Sequence, residues 1–147
     1  MKRFKFSLES VLVVREKILT DEQTKLASIL NVYNKQLEKI NQTISQLNTL
    51  KSESEKYIQD NNFDSFTISN YAMYGKKLQD EIKLQQTINK KTKEVLDSQK
   101  EKVKQAYIGV KSLENLKDRQ KEQYLKEFQM EEIKEIDDIV NSRRNIA

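Results

Sequence analysis

Residues 8–58 read LESVLVVREKILTDEQTKLASILNVYNKQLEKINQTISQLNTLKSESEKYI, and this stretch decides the fold. Positions spaced alternately by four and three residues, starting from its first leucine, form a row in which eleven of fifteen residues are apolar. The residues between are mostly polar, so the apolar stripe is narrow, as in a coiled-coil seam that needs a partner helix. The row is Leu8, Leu12, Arg15, Leu19, Glu22, Leu26, Ile29, Tyr33, Leu37, Ile40, Ile44, Leu47, Lys51, Ser54 and Ile58.

One step in this row is irregular. The steps into and out of Tyr33 are both of four residues, so the spacing predicts a stutter at Tyr33–Leu37 that locally relaxes a left-handed supercoil. At the start of the helix, Ser7 is a suitable N-cap, and Phe6 is placed to staple onto Val11.

The clearest break in the sequence is Asp-Asn-Asn-Phe-Asp-Ser-Phe-Thr at residues 60–67. Asn and Asp favour turns, and Asp64, Ser65 or Thr67 can cap the helix that follows. Phe63 and Phe66 either pack at the tip or contact a partner.

A second, weaker row follows the break. Its polar members weaken it. The steps into and out of Gln85 are both of three residues, which predicts a stammer. The row is Ile68, Tyr71, Gly75, Leu78, Ile82, Gln85, Ile88, Thr92, Val95, Gln99, Val103, Ala106, Val110, Leu113, Gln120 and Tyr124.

A short connection between two helices makes them antiparallel neighbours. We therefore predict an all-α fold, a long antiparallel two-helix coiled-coil hairpin with the second helix overhanging. The predicted boundaries are 1–147 for a single coiled-coil domain, with helix 1 at about 7–58, the tip at 59–66 and helix 2 at about 67–141. From about Gln120 onward the second helix has no partner from the first, so this amphipathic end is either a docking element or a frayed tail.

Composition excludes several classes of function. The chain has no Cys, no His and no Pro, which removes thiol and imidazole catalysis, the usual zinc sites and disulfides, and favours long helices. No cofactor or metal site is expected, and an enzyme is not predicted. Acidic residues interrupt the lysine-rich stretch at 76–105, which argues against nucleic-acid binding. No apolar stretch approaches the length of a transmembrane segment, so we expect a cytoplasmic protein.

The opening Phe4-Lys5-Phe6-Ser7-Leu8-Glu9-Ser10-Val11-Leu12, followed by Arg15-Glu16, resembles the start of the flagellar export protein FliJ. Ser69-Asn70-Tyr71 with Leu78 and Ile82, and Leu116-Lys117-Asp118-Arg119-Gln120 before an acidic tail, also resemble this family. Each motif is short, but the resemblance in order and spacing covers essentially the whole chain.

The resemblance implies an antiparallel coiled coil similar to the γ stalk of rotary ATPases, in a non-enzymatic component of the flagellar type III export apparatus. The implied partners are the hexameric export ATPase FliI, the export gate FlhA and export chaperones, at the cytoplasmic face of the cell membrane. The implied ATPase-binding residues, at the open end of the hairpin, are Leu12, Arg15, Glu16, Leu113, Leu116, Arg119 and Gln120. The implied gate-binding residues, near the tip, are Tyr57, Tyr74, Leu78 and Gln85, although Glu81 stands where relatives carry a small residue.

Two alternatives remain at this stage: the equivalent stalk of a virulence type III secretion system, and a generic coiled-coil scaffold. The roles of several side chains also stay open. The aromatic residues around the tip form either a binding surface or a small core, and Arg15 either pairs with Asp118 or Glu114 or faces the ATPase.

Overall fold

A computed structural model describes residues 2–60 and 64–146, and this part of the chain contains two helices and no strand. Helix α1 spans Glu9–Gln59 and helix α2 spans Ser65–Ile146. The helices pack against each other in antiparallel directions, which confirms the predicted all-α two-helix hairpin. Helix α2 begins two residues before its predicted start and continues five residues beyond its predicted end.

Local hydrogen bonds explain where the helices begin. The Glu9 amide donates to the Phe6 carbonyl oxygen (3.1 Å) ahead of α1, and the Glu9 carboxylate lies in the first turn. The amide of Phe66 donates to Oδ1 of Asp64 (3.2 Å), so Asp64 is the N-cap of α2. Phe63 lies outside the described residues.

The seam of α1 is more regular than the sequence row predicted, and the predicted stutter is wrong. Burial continues after Tyr33 in strict alternation of three and four residues, through polar as well as apolar side chains. Leu37, Lys51 and Ile58 are exposed, and Ile44 lies at the edge of the seam. The seam positions after Tyr33 are Gln36, Ile40, Thr43, Leu47, Leu50, Ser54 and Tyr57.

The predicted stammer in α2 is also wrong, because burial in this helix likewise continues in alternating steps of three and four residues. Ile88 and Val95 are exposed, whereas the next residues, Asn89 and Leu96, are buried to 8% and 3% exposure. The steps of three and four therefore alternate without interruption from Ile68 to Tyr124. The row predicted from the sequence was drawn through apolar residues, whereas the observed packing keeps the same heptad positions throughout. A shift of the seam to other heptad positions on one helix would turn it away from the partner helix.

A buried polar contact occupies the seam between the two helices in the segment Gln23–Lys102. Nδ2 of Asn89 donates to Oε1 of Gln36 (3.1 Å) and to the carbonyl oxygen of Tyr33 (3.4 Å). The neighbouring Thr43, also buried, donates its hydroxyl to the Lys39 carbonyl oxygen (3.0 Å). Such polar groups reduce stability relative to an apolar seam but favour one register and orientation.

The chain divides into two compact units. The tip unit is Gln23–Lys102, and the terminal unit consists of Met1–Glu22 with Val103–Ala147. The terminal unit contains a buried apolar cluster against which Phe4, Leu19 and Leu116 pack. The buried members of this cluster are Phe6, Leu12, Val110 and Leu113.

We predict that the double substitution Gln36→Leu with Asn89→Leu raises the midpoint of thermal unfolding, because it replaces a buried polar contact by apolar packing. By analogy with other buried polar groups, the gain is on the order of 1 kcal/mol. Circular dichroism melting measures this change, with Gln42→Leu at an exposed position as the control. Destabilisation of the double variant relative to wild type would contradict the assigned seam.

Candidate functional site

The terminal unit contains the residues that the sequence placed at the open end of the hairpin, but the structure divides them between core and surface. Leu12 and Leu113 are buried in the apolar cluster, and Leu116 packs against it. Arg15, Glu16 and Arg119 are exposed, and Gln120 is half-buried at a seam position. The three leucines therefore hold the helices together, and the charged residues form the accessible surface.

The Arg15 side chain crosses α2 at a glycine. A Cβ atom built on Gly109 would lie 3.0 Å from Nη1 of Arg15 and 3.7 Å from its Cδ. Such a contact is tighter than ordinary van der Waals separation, so the missing side chain of Gly109 leaves the space that Arg15 occupies.

Two lysines of this unit, Lys111 and Lys117, form ion pairs with glutamates. Nζ of Lys117 lies 2.9 Å from Oε2 of Glu9, and Nζ of Lys111 lies 3.2 Å from Oε2 of Glu114. Hydrogen bonds to these carboxylates raise the pKa of both lysines above its ordinary value. Whatever stability these exposed pairs contribute is therefore present at neutral pH and is lost only as pH rises through the raised lysine pKa values.

The two arginines of the predicted ATPase-binding set differ from these lysines. Within residues 2–60 and 64–146, no carboxylate forms an ion pair with Arg15 or Arg119. Arg15 does not pair with Glu114, which contacts Lys111 instead. Arg119 donates through Nε to the Asn115 carbonyl oxygen at 3.4 Å, a long hydrogen bond. Both guanidinium groups are therefore accessible and can take external carboxylates.

The N-terminal segment covers part of α2 that the sequence left without a partner. The Tyr124 hydroxyl donates to the carbonyl oxygen of Lys2 (2.6 Å), and the rings of Phe4 and Tyr124 lie 5.5 Å apart. Phe128 stacks on Tyr124 at 6.3 Å. Phe6 enters the apolar cluster of the terminal unit, whereas Val11, its predicted staple partner, is exposed. In the sequence, the feature that could have predicted this contact of the N-terminal segment with α2 is the aromatic pair Phe4 and Phe6.

In the tip unit, Tyr57 contributes to the connection between the helices. Its hydroxyl accepts a hydrogen bond from the amide of Asp64 (2.8 Å), and its ring lies 5.8 Å from that of Tyr71. These contacts give Tyr57 a structural role. By contrast, Phe66 is 72% exposed and Met73 is 71% exposed. The aromatic and apolar residues near the tip therefore include both a small packed pair and an accessible surface.

The other predicted gate-binding residues also differ in exposure. Tyr74 is 50% exposed and borders a groove of about 380 Å³ with Glu53. Leu78 is buried in the seam. Nε2 of Gln85 donates to Oε1 of Glu81 (3.4 Å), while the buried Oε1 of Gln85 has no hydrogen-bond partner within the part of the chain that the structure describes. Tyr74 is the member of this set best placed to contact another protein.

One known protein family matches nearly the whole chain. The family described as "Flagellar FliJ protein" matches residues 4–145. The chain belongs to the FliJ family. No curated protein and no solved structure gave a match.

Membership makes the chain a component of flagellar protein export, and this confirms the resemblance seen in the sequence. The FliJ family is a non-enzymatic one. None of the described helices has an apolar stretch that could span a membrane, and no group of carboxylates among the described residues is arranged to hold a metal ion.

We predict that the two glycines of α2 respond differently to alanine. Gly75→Ala should raise the free energy of unfolding by about 1 kcal/mol, because alanine favours helix and its Cβ would lie 3.7 Å from Cδ2 of Leu50, an ordinary contact. Gly109→Ala should gain less, because Arg15 must move.

Chemical denaturation of both variants measures this difference, and repeating it in an Arg15→Ala background provides the control. With Arg15 removed, Gly109→Ala should give the same gain as Gly75→Ala. Equal gains in the presence of Arg15 would show that Gly109 does not hold space for its side chain.

Proposed function

We propose that this FliJ-family chain is a non-enzymatic component that binds the ring of the export ATPase FliI as a central stalk and promotes its assembly. It also contacts the export gate FlhA and export chaperones. Through these partners the chain is held at the cytoplasmic face of the cell membrane. No nucleic acid or cofactor takes part.

The observation that carries the ATPase contact is that Arg15 and Arg119 of the terminal unit are exposed and, within residues 2–60 and 64–146, form no ion pair. Glu9 neutralises Lys117 and Glu114 neutralises Lys111, whereas no described carboxylate neutralises Arg15 or Arg119. A guanidinium can take a carboxylate in a bidentate hydrogen-bonded pair, which gives orientation as well as affinity. Glu16 and Gln120 complete the polar part of this surface, and Leu12, Leu113 and Leu116 support it from the core.

The gate contact is assigned to the tip unit, with Tyr74 as its central side chain. Half-exposed tyrosines bordering a groove are frequent anchors of protein interfaces. The other three residues of the set support this surface and do not form its centre. Tyr57 fixes the connection between the helices, and Leu78 packs in the seam. The unpaired Oε1 of Gln85 provides an acceptor that a partner could satisfy.

The chaperone contact is assigned to the C-terminal part of α2. Leu125 and Met130 are exposed there, as are isoleucines further along the helix. An amphipathic helix with an open apolar face is suited to a groove on another protein.

We predict that wild-type chain stimulates ATP hydrolysis by the cognate export ATPase, and that Arg15→Ala and Arg119→Ala each weaken this effect. Loss of one charge-assisted hydrogen bond corresponds to about tenfold in affinity, so half-maximal stimulation should need about ten times more of either variant. ATPase assays with a pull-down measure this change.

Lys39→Ala is the matched control, because it removes an exposed positive charge from the tip unit and should leave stimulation unchanged. Gly109→Ala, which displaces the Arg15 side chain, should resemble Arg15→Ala in direction. Failure of folded wild-type chain to bind or stimulate the ATPase would exclude the stalk function. Full stimulation by both arginine variants would place the contact elsewhere.

A further inference from the structure

One side of the tip unit carries an apolar row that the hairpin itself does not cover. The row lies on α1, where each residue directly follows a seam position. Leu30, Leu37 and Ile58 are exposed, and Ile44 is half-buried. Consecutive residues of the row are separated by whole heptads, so all of them lie on one side of α1. The row is Leu30, Leu37, Ile44 and Ile58, interrupted once by Lys51.

The facing side of α2 is basic. A groove of about 550 Å³ connects the two helices near the tip, and its lining includes Ile58 of α1 with Lys76 and Gln79 of α2. Further lysines follow Lys76 or Gln79 by whole heptads and therefore lie on the same side of α2. These are Lys83, Lys90, Lys93 and Lys100, all exposed, with Asp97 as the acidic residue among them. We call the apolar row with these lysines the basic face.

The end of α2 has the complementary chemistry. Leu125, Ile133 and Ile136 are exposed there, the last two to 59% and 60%. Phe128 borders a shallow cavity whose other walls are acidic. Between residues 125 and 140 six acidic side chains outnumber two lysines. We call residues 125–140 the acidic segment; its acids are Glu127, Glu131, Glu132, Glu135, Asp137 and Asp138.

We propose that the basic face of one chain binds the acidic segment of a second copy, so that the protein self-associates when no chaperone occupies that segment. Helix-in-groove binding requires an apolar stripe that meets an apolar groove, and both are present. The flanking charges are opposite in sign, which selects this pairing over a pairing of two identical faces. Because the two surfaces differ, the contact is heterologous, and it either closes when two chains exchange acidic segments or continues into longer assemblies.

Sedimentation velocity of the full chain tests this proposal. At low salt the wild-type chain should sediment faster as its concentration rises into the range of about 100 µM, and high salt should weaken the association by screening. Ile133→Asn with Ile136→Asn, and separately Leu30→Asn with Leu37→Asn, should each weaken association by about tenfold or more. All four positions are solvent-exposed, so the variants should keep the wild-type helical content.

The matched control is Val32→Asn. Val32 is 47% exposed, but it precedes Gln46 and Glu53 by whole heptads, and these line the groove beside Tyr74 on the other side of the unit. This substitution should leave self-association unchanged.

A charge exchange gives the most specific readout. Lys83→Glu with Lys90→Glu should abolish self-association, as should Glu131→Lys with Glu135→Lys. An equimolar mixture of these two variants should associate again, because each variant then meets a face of opposite charge. A wild-type chain that stays monomeric at all concentrations would overturn the proposal. Association that survives the charge reversals, or that Val32→Asn also abolishes, would overturn it as well.

Discussion

The structure depends on one geometric constraint, the unbroken alternation of three- and four-residue steps from Leu19 to Tyr57 in α1 and from Ile68 to Tyr124 in α2. A left-handed coiled coil keeps its seam facing the partner only while this spacing holds. The constraint is strong enough to bury Thr43, Gln99 and Asn89 while Ile88 and Val95 remain exposed. Position in the heptad therefore outranks hydrophobicity of the individual side chain.

The fold was predictable from the sequence because its signals are long and consistent. Absence of proline, a sustained apolar row and a single Asn/Asp break all indicate a helical hairpin. The predicted stutter and stammer were wrong for a common reason. In each helix an apolar residue beside the seam, Leu37 or Ile88, was assigned to the seam in place of its polar neighbour, Gln36 or Asn89. Only the paired helix reveals the hydrogen bond that makes a polar side chain acceptable at these positions.

The candidate site was less predictable, because surface roles depend on which neighbours are already paired. The sequence places Arg15, Lys117 and Arg119 in similar surroundings of mixed charge. The structure separates them, since Glu9 neutralises Lys117 whereas no carboxylate in the described part of the chain pairs with Arg15 or Arg119. Similarly, no periodicity indicates that the Tyr124 hydroxyl donates to the Lys2 carbonyl oxygen, because residues 2–6 precede the helix and have no helical pattern.

The register of the two helices is the central claim, and disulfide cross-linking tests it directly because the natural chain has no cysteine. Leu50→Cys with Gly75→Cys should form an intramolecular disulfide on mild oxidation, because the two positions face each other across the seam: a Cβ at Gly75 would lie 3.7 Å from Cδ2 of Leu50. Leu50→Cys with Ile82→Cys, displaced by one heptad, should remain reduced. Rapid cross-linking of the displaced pair, with none in the first, would contradict the register and the contacts that follow from it.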